Sequence, residues 1–423
     1  MAVLKKHVYR RAKHAAARTN SFVFNQLIPY IGNKRKLLGL IGEAIAATNV
    51  DCRKTVFIDV FAGSGVVSRF AKKSGFRVIA NDWEPYAEAI NACYIALNSA
   101  PVFHGEKKYE QVIDELNSLT PVEDWVSMHL CPRNDDNFDV TKERLFYTRA
   151  NGMRIDAIRE KISAWEKSGE IDKTQMAALL APLLYQACYT SNTSGVFKGF
   201  HNGWGGQTGT ALYRIKSRLT LAPAIFHNNG HKNEVFRRDA TELLRELGRI
   251  GPAIVYIDPP YNQHPYGANY HVLNSITLWD KPELPRVFGK RNKAAIRTDW
   301  RSARRSRYNY KNEAAQAYEE LLDAAPAEWL LTSYSTDGNI PLERLVRAAC
   351  GAGATTALMQ NYKRYRVSRQ RFSEKPVNVE FVLVTKKGAA GGESASSIVR
   401  RIFSAENEAL EKRREVSNVR RFA

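Results

Sequence analysis

The tetrapeptide Asp-Pro-Pro-Tyr at positions 258–261 directly follows an apolar run and is the first candidate for chemistry. Its two prolines fix the backbone and remove two N–H donors, so acceptor groups remain. The Asp258 carboxylate and the Pro259 carbonyl would accept hydrogen bonds from a planar group bearing an NH₂, with the Tyr261 ring beside it. The alternative is an ordinary proline turn after a strand, which does not require the whole tetrapeptide.

A second candidate combines segment 61–65, Phe-Ala-Gly-Ser-Gly, with the acid at position 82. Glycines between a strand and a helix allow a ligand to approach the backbone at the helix N-terminus. Ser68 stands where a dinucleotide fingerprint has its third glycine, so the segment alone is equally consistent with a tight turn. Asp82 ends the next strand, where an acid can bind both ribose hydroxyls of an adenosine group or cap the helix that begins at Pro85.

These residues need strands and helices that bring them to one edge of a sheet. Apolar β-branched runs predict strands at 55–60, 76–81, 235–236, 253–258, 329–334 and 377–385, and helices are expected at 66–73, 85–98, 152–167, 173–190, 240–248 and from 341. Alternating strands and helices indicate an α/β fold with a mostly parallel sheet. The alternation stops between 101 and 235, which predicts a mainly helical insertion.

The charge of the chain favours a polyanionic partner. Lys and Arg number 63 against 43 Asp and Glu, a net charge of +20. Residues 1–42 hold nine basic residues and no acid, and residues 286–311 hold ten basic residues and one acid. Arg301, Arg304 and Arg305 of the second cluster are predicted to contact phosphates, and the alternative is a solvated helix face.

The glycine-rich segment 194–206 lies in the insertion and alternates glycine with aromatic residues. Phe197, Lys198 and Trp204 are candidates for contact with the polyanionic partner. The alternative is a packing loop inside the protein. The six basic residues between 363 and 375 are a further candidate for phosphate contact.

Composition argues against several protein classes. No apolar run of about 20 residues is present, so no membrane span is expected. The N-terminus lacks the apolar core of a signal peptide, which favours the cytoplasm. The five cysteines form no C-x-x-C pair, so neither a disulfide framework nor a zinc site is expected. No histidine lies in a metal-ligand pattern, and we expect an enzyme that needs no metal.

Three motifs together resemble those of the Dam-like, α-group DNA adenine methyltransferases. Segment 258–261 is similar to the amino-methyltransferase signature of that family, and segment 61–65 to its S-adenosylmethionine loop. Pro-Tyr-Ile-Gly-Asn-Lys at 29–34 is similar to its N-terminal cofactor motif. The order of the motifs, with a long variable region before Asp-Pro-Pro-Tyr, is also that of the α group. Asn33 stands where these enzymes often have glycine, and it has no assigned role.

The resemblance implies a role for each matching residue. Asp258, Pro259 and Tyr261 would bind the target base. Tyr30 and Lys34 would close over S-adenosylmethionine. Its methionine end would be held by Asp59, Phe61, Gly63 and Gly65. Asp82 would bind its ribose, and Asp239 would lie beside its adenine. Asp239 is equally well explained as the cap of a helix that begins at Ala240.

The resemblance also implies a fold and an activity. Residues 1–105 and 233–387 would form a Rossmann-like methyltransferase domain, residues 106–232 an inserted DNA target-recognition region, and residues 388–423 a flexible linker and C-terminal helix. The expected protein is a monomeric bacterial or phage-encoded enzyme that methylates a flipped adenine in double-stranded DNA, with a separate restriction endonuclease as a candidate partner. Cytosine-N4 methylation, DNA binding without turnover, and methylation of RNA or of a protein glutamine are the alternatives.

Overall fold

The sheet has seven strands in the described part of the chain, in the order β3-β2-β1-β4-β5-β7-β6. The computed structural model describes residues 21–207, 209, 211–248, 250–289, 291–363 and 377–419. The strands are β1 (Val56–Asp59), β2 (Arg77–Asn81), β3 (Glu234–Phe236), β4 (Ala253–Ile257), β5 (Trp329–Ser335), β6 (Gly353–Lys363) and β7 (Val377–Lys387). Strands β1 to β5 are mutually parallel, and β7 runs antiparallel to β5 and β6. The prediction of a mostly parallel α/β sheet is confirmed.

Helices cover both faces of this sheet. In chain order they are α1 (Ser21–Phe24), α2 (Leu38–Ala47), α3 (Val66–Lys73), α4 (Pro85–Asn91), α5 (Tyr109–Ser118), α6 (Trp125–Leu130), α7 (Arg149–Ser168), α8 (Lys173–Tyr189), α9 (Leu212–Lys216), α10 (Ala240–Leu247), α11 (Tyr266–Asn269), α12 (His271–Leu278), α13 (Trp300–Ala303), α14 (Ala314–Ala324), α15 (Leu342–Ala352) and α16 (Ala395–Val419). None of the helices in these described ranges is long and apolar enough to cross a membrane.

Side chains of the central strand β4 alternate between two apolar cores. Ile254 and Tyr256 join α2, α3, α4 and the helices of the insertion in one core. Val255 and Ile257 join α10, α14, α15 and α16 in the other. Because both faces are covered, all five residues of β4 are buried, as a continuous apolar run in a parallel sheet requires.

The insertion between β2 and β3 is helical, as predicted, and its two long helices have clear ends. Thr148 accepts a hydrogen bond from the backbone of residue 151 at the start of α7, and Gly169 ends that helix with a φ of 75°. Asp172 caps α8. Asp156 on α7 accepts three backbone N–H groups at the start of α6, which fastens the two helices together.

Several segments differ from the sequence prediction, which did not include β6, α2 or α14. The helix expected at 85–98 ends at Asn91 and continues as a π-turn, Ala92–Ala96, where the buried Lys72 ammonium binds the carbonyls of Tyr94, Ile95 and Leu97. Helix α16 begins at Ala395, within the segment 388–423 that was expected to hold a linker and a C-terminal helix, and its Ile398 and Ile402 side chains are buried in the core. The flexibility of the residues before it stays a prediction. The basic residues 1–20 and 364–376 lie outside the described residues.

Candidate active site

Strand β4 carries Asp258 to the carboxyl edge of the sheet, between β1 and β5. The Lys34 ammonium lies 2.9 Å from the Asp258 carboxylate and donates a 2.9 Å hydrogen bond to the Tyr261 hydroxyl. Burial raises the pKa of Asp258, and both Lys34 and Tyr261 oppose that rise. The Tyr261 ring is held edge-on against Tyr334 at 4.7 Å between centroids. The acceptor group predicted at this position is therefore fixed by neighbours on three sides.

Lys34 reaches this position through the short 3-10 turn Lys34–Lys36, and its side chain is only 4% exposed. The side chain of Asn33 caps the turn by accepting from the backbone N–H of Arg35. It also donates to the Ser64 hydroxyl of the glycine loop at 3.1 Å. Asn33, which had no role in the sequence analysis, thus joins the N-terminal motif to the loop. Lys34, expected to close over a cofactor, has its ammonium on Asp258 instead.

Neighbouring side chains lie close against the backbone of the glycine loop, residues 61–65. Gly63 and Gly65 have positive φ angles of 51° and 77°. A Cβ at Gly63 would lie 2.7 Å from the Tyr30 ring, and one at Gly65 would lie 2.5 Å from the Asn91 amide oxygen. Asp82 accepts a 2.8 Å hydrogen bond from the Gly63 backbone N–H. Tyr30, the loop and Asp82 are therefore brought together, as the sequence predicted.

Asp59 lies beneath the loop and is 1% exposed. One of its oxygens accepts a 2.6 Å hydrogen bond from the Ser68 hydroxyl, and the other has no hydrogen-bond partner among the described residues. Burial raises the pKa of Asp59 to about 7. Ser68, which replaces the third glycine of a dinucleotide fingerprint, is thereby explained as a partner of this acid.

One cleft joins these elements and is partly open to solvent. The predicted residues on its wall are Tyr30, Lys34, Phe61, Asp82, Asp258, Pro259 and Tyr261. Trp83, Glu84 and Tyr266 also line it and were missed. Trp83 and Glu84 directly follow Asp82, which is a signal that sequence reasoning could have used.

Asp239 acts as a helix cap in this structure. Its side chain accepts hydrogen bonds of 2.9 and 3.1 Å from the backbone N–H groups of Thr241 and Glu242 at the start of α10. The capping interpretation therefore accounts for the residue. A position beside a cofactor's adenine stays a prediction.

The basic segment 286–311 divides into an inner and an outer part. Arg304, predicted to contact phosphates, is 11% exposed and pairs with Glu84 at 3.4 Å and Asp299 at 3.0 Å on the cleft wall. Arg305 pairs with Glu313, two residues beyond the segment, and remains 40% exposed. Arg301 is exposed. The prediction for Arg304 is corrected, because two buried or half-buried acids draw its guanidinium inward.

The glycine-aromatic loop is packed more tightly than a free DNA-contacting loop. Phe197 is 1% exposed, and its carbonyl lies 2.8 Å from the ring nitrogen Nε2 of the buried His271. Trp204 donates to the Asp135 carbonyl at 2.8 Å. The prediction that Phe197 contacts DNA is therefore wrong for this conformation, since its ring lies in the core. Trp204 and Lys198 are partly exposed.

An exposed aromatic ring that sequence reasoning did not single out occurs in a turn of the basic segment 286–311. Phe288 is 80% exposed and bridges to Arg291. The buried Arg144 guanidinium binds the carbonyls of Pro285 and Asn292 at the base of the turn. The turn therefore has a fixed base and presents an apolar ring beside positive charge.

Comparison with known proteins agrees with this geometry. The profile of the family described as D12 class N6 adenine-specific DNA methyltransferase matches residues 30–325. The Type II methyltransferase M.NlaIII of Neisseria lactamica is 30% identical over 83% of this chain and 96% of that protein. M.CviAII of Paramecium bursaria Chlorella virus 1 is 30% identical over 80% of this chain and 93% of that protein.

A third relative is longer than this chain. The Type II methyltransferase M.FokI of Planomicrobium okeanokoites is 30% identical over 82% of this chain but only 50% of its own length.

Within the described ranges, no group of three or more His, Cys, Asp or Glu side chains is arranged to hold a metal ion. The family match covers both the glycine loop and Asp-Pro-Pro-Tyr, and the chain belongs to the D12 class of N6 adenine-specific DNA methyltransferases.

Proposed function

We propose that this chain transfers a methyl group from S-adenosylmethionine to the exocyclic amine of an adenine within a specific sequence of double-stranded DNA. The observation that carries the proposal is the Asp258 carboxylate, which Lys34 and Tyr261 fix in the same cleft as Asp82. The adenine specificity of the family favours this reaction over cytosine-N4 methylation.

The cleft fits an adenosine-bearing cofactor. Each oxygen of Asp82 accepts one backbone hydrogen bond, from Gly63 or from Glu84. A carboxylate has about four acceptor positions, so lone pairs remain for the two ribose hydroxyls. Gly63 itself is buried against the Tyr30 ring, and its backbone N–H holds the Asp82 carboxylate on the cleft wall. The cofactor would supply an electrophilic methyl group on a sulfonium.

The target amine needs help from the protein because its lone pair is delocalised into the adenine ring. Lys34 occupies one oxygen of Asp258, which leaves the other oxygen and the Pro259 carbonyl to accept the two amine hydrogens. These two hydrogen bonds would direct the lone pair of the amine toward the methyl group. Forming the new C–N bond would break the C–S bond of the sulfonium and release a neutral thioether. The amine would lose one proton in this step, and we assign its acceptance to Asp258.

Lys34 also decides the protonation state of Asp258. A buried acid tends to keep its proton, and a protonated carboxyl would donate to the amine where an acceptor is needed. The ammonium group at 2.9 Å favours the carboxylate form. Lys34 therefore acts as a positioning residue for the target base rather than as a contact of the cofactor.

DNA binding is proposed for the outer surface around the cleft. The target adenine can enter the cleft only after it leaves the base stack of the duplex. We therefore expect the DNA-binding surface to include residues that stabilise the extruded base. Arg301 and Arg305 would contact phosphates. Trp204 and Lys198, in the helical insertion, and Phe288, on its basic turn, are candidates for contacts with bases.

We expect the enzyme to act as a monomer in a restriction-modification setting. The relatives named above are type II methyltransferases, and another relative is called a modification methylase. A cognate endonuclease would act separately on the same sequence. Light scattering with and without duplex DNA tests the monomeric state.

The test of the proposal uses purified protein, unmethylated genomic DNA and S-adenosylmethionine with an isotope-labelled methyl group. Digestion to nucleosides and mass spectrometry should find the label in N6-methyladenine, and sequencing of the product should find it in one short motif. Asp258→Asn is the control. Label in N4-methylcytosine, or only in RNA or protein, would overturn the proposal.

A further inference from the structure

A second groove adjoins the catalytic cleft beyond the Asp-Pro-Pro-Tyr loop. The groove and the cleft share two wall residues, Pro265 and Asn309. Asn309 is buried and donates a 2.6 Å hydrogen bond to the Asn262 carbonyl, so the shared wall is fixed to the loop that holds the target site. A group in the groove would therefore lie directly beside a group in the cleft.

The groove carries amide side chains that are available to a ligand. Gln263 and Asn312 line it and are exposed. Within the described part of the chain, neither side chain makes a hydrogen bond. Amides present a donor and an acceptor side by side, and this pattern matches the edge of a base, most often that of adenine. The donor and acceptor groups of the Gln263 and Asn312 side chains are therefore available for hydrogen bonds with a ligand.

The groove also has an aromatic wall and a cation. Trp300 is held by a 2.7 Å hydrogen bond from its indole N–H to the Arg297 carbonyl. It packs so closely on Gly267 that a Cβ there would lie 2.7 Å from the Trp300 Cβ. A fixed ring can stack on a base of any sequence. Lys311 lines the same groove, is exposed, and has no ion pair among the described residues.

We propose that this groove binds the nucleotide next to the target adenine and that Gln263 and Asn312 read its base. The proposal rests on the DNA methyltransferase function proposed above. When an adenine occupies the cleft, its neighbours in the same strand must leave along the rim, and the groove forms part of that rim. The stacking ring, the amides and the lysine match the base face, base edge and phosphate of one nucleotide.

The experiment measures methylation of a duplex library in which the positions on both sides of the target adenine are randomised. Gln263→Ala and Asn312→Ala should reduce the preference for the favoured neighbour by about 5- to 150-fold at one position, the range for losing one amide-base pair. Gln316→Ala is the matched control, because Gln316 is an exposed amide on α14 outside the groove. It should leave every preference unchanged.

The outcomes separate this inference from the proposed function. A wild-type enzyme that methylates adenine, with both variants retaining the full preference, would overturn the reading role and leave the function intact. An equal loss at all neighbours would also overturn it, because it indicates a structural or phosphate-binding role. If an alanine variant fails to fold, Gln263→Glu and Asn312→Asp keep the shape and remove the donors, and the preferred neighbour should then change.

Discussion

Replacing Asp258 with Asn removes its charge, and this should have two consequences. The first is loss of the charged acceptor for the target amine. The second is that Lys34, 4% exposed and 2.9 Å away, keeps its buried positive charge but loses the Asp258 carboxylate. The variant should therefore lose both activity and stability, but for different reasons.

The structure sets the scale of both losses. Removing one aligned electrostatic group typically lowers the rate by about 10²- to 10³-fold. Leaving one member of a buried ion pair unpaired costs about 3–5 kcal/mol of folding free energy. Lys34 also donates to the Tyr261 hydroxyl and the Gly32 carbonyl and interacts with the charge of Glu380, and these contacts lessen the second cost. Affinity for S-adenosylmethionine should change little, because Asp82 lies on another part of the wall.

A double variant distinguishes the two effects. Asp258→Asn with Lys34→Met removes both charges, and neutral replacement of a buried pair is often close to neutral for stability. Urea denaturation should show recovery of most of the lost stability, while single-turnover methylation stays as low as in the single variant. Calorimetry checks the cofactor affinity of each protein. Turnover near the wild-type rate in Asp258→Asn, or a parallel loss of cofactor affinity, would refute the assignment.

Three further predictions follow from buried charge. Asp82→Ala should weaken S-adenosylmethionine binding by about 10- to 150-fold for each charged hydrogen bond lost and leave DNA binding unchanged. If calorimetry finds the same affinity for S-adenosylmethionine as in the wild type, Asp82 only supports the glycine loop. Burial raises the pKa of Glu380 from 4.5 to about 7, so its ionisation destabilises the fold as pH rises through that interval. Glu380→Gln should therefore raise the melting temperature at pH 8, by an amount corresponding to about 3 kcal/mol, and change it little at pH 4. Arg305→Ala should weaken binding to all DNA sequences and lower the salt slope of the binding constant by about one. Arg304→Ala should instead reduce the stability of the fold, because the buried Glu84 loses its cation. If both variants weakened DNA binding equally and neither changed stability, the different roles assigned to the two arginines would be contradicted.

The sequence was sufficient for features that depend on neighbouring residues. The apolar run before Asp258 predicts a buried strand, and the strand itself delivers the acid to the sheet edge. The glycine loop and Asp82 end adjacent parallel strands, so their meeting follows from the topology. Segment 173–190 was predicted as a helix almost to its ends because Asp172 provides a local cap.

Features that depend on distant residues were not predictable from local pattern. Residues 34 and 258 are 224 positions apart, and no periodicity indicates that Lys34 meets the acid. Phe197 and Phe288 are both aromatic residues beside glycine and lysine, yet one is 1% and the other 80% exposed. The difference arises because α12 covers Phe197 and binds its carbonyl, whereas Phe288 lies on a turn held only at its base.

The N-terminal motif gains a broader role from these distant contacts. Within six residues, Tyr30 packs on Gly63 of the cofactor loop, Asn33 bonds Ser64 of the same loop, and Lys34 holds Asp258. A displacement of this short turn would therefore disturb the cofactor loop and the base-binding acid together. Asn33→Ala removes the link to Ser64 without touching either ligand group, so it should lower cofactor affinity and turnover in the same direction. A change in turnover alone would show that the turn supports Asp258 independently of the loop.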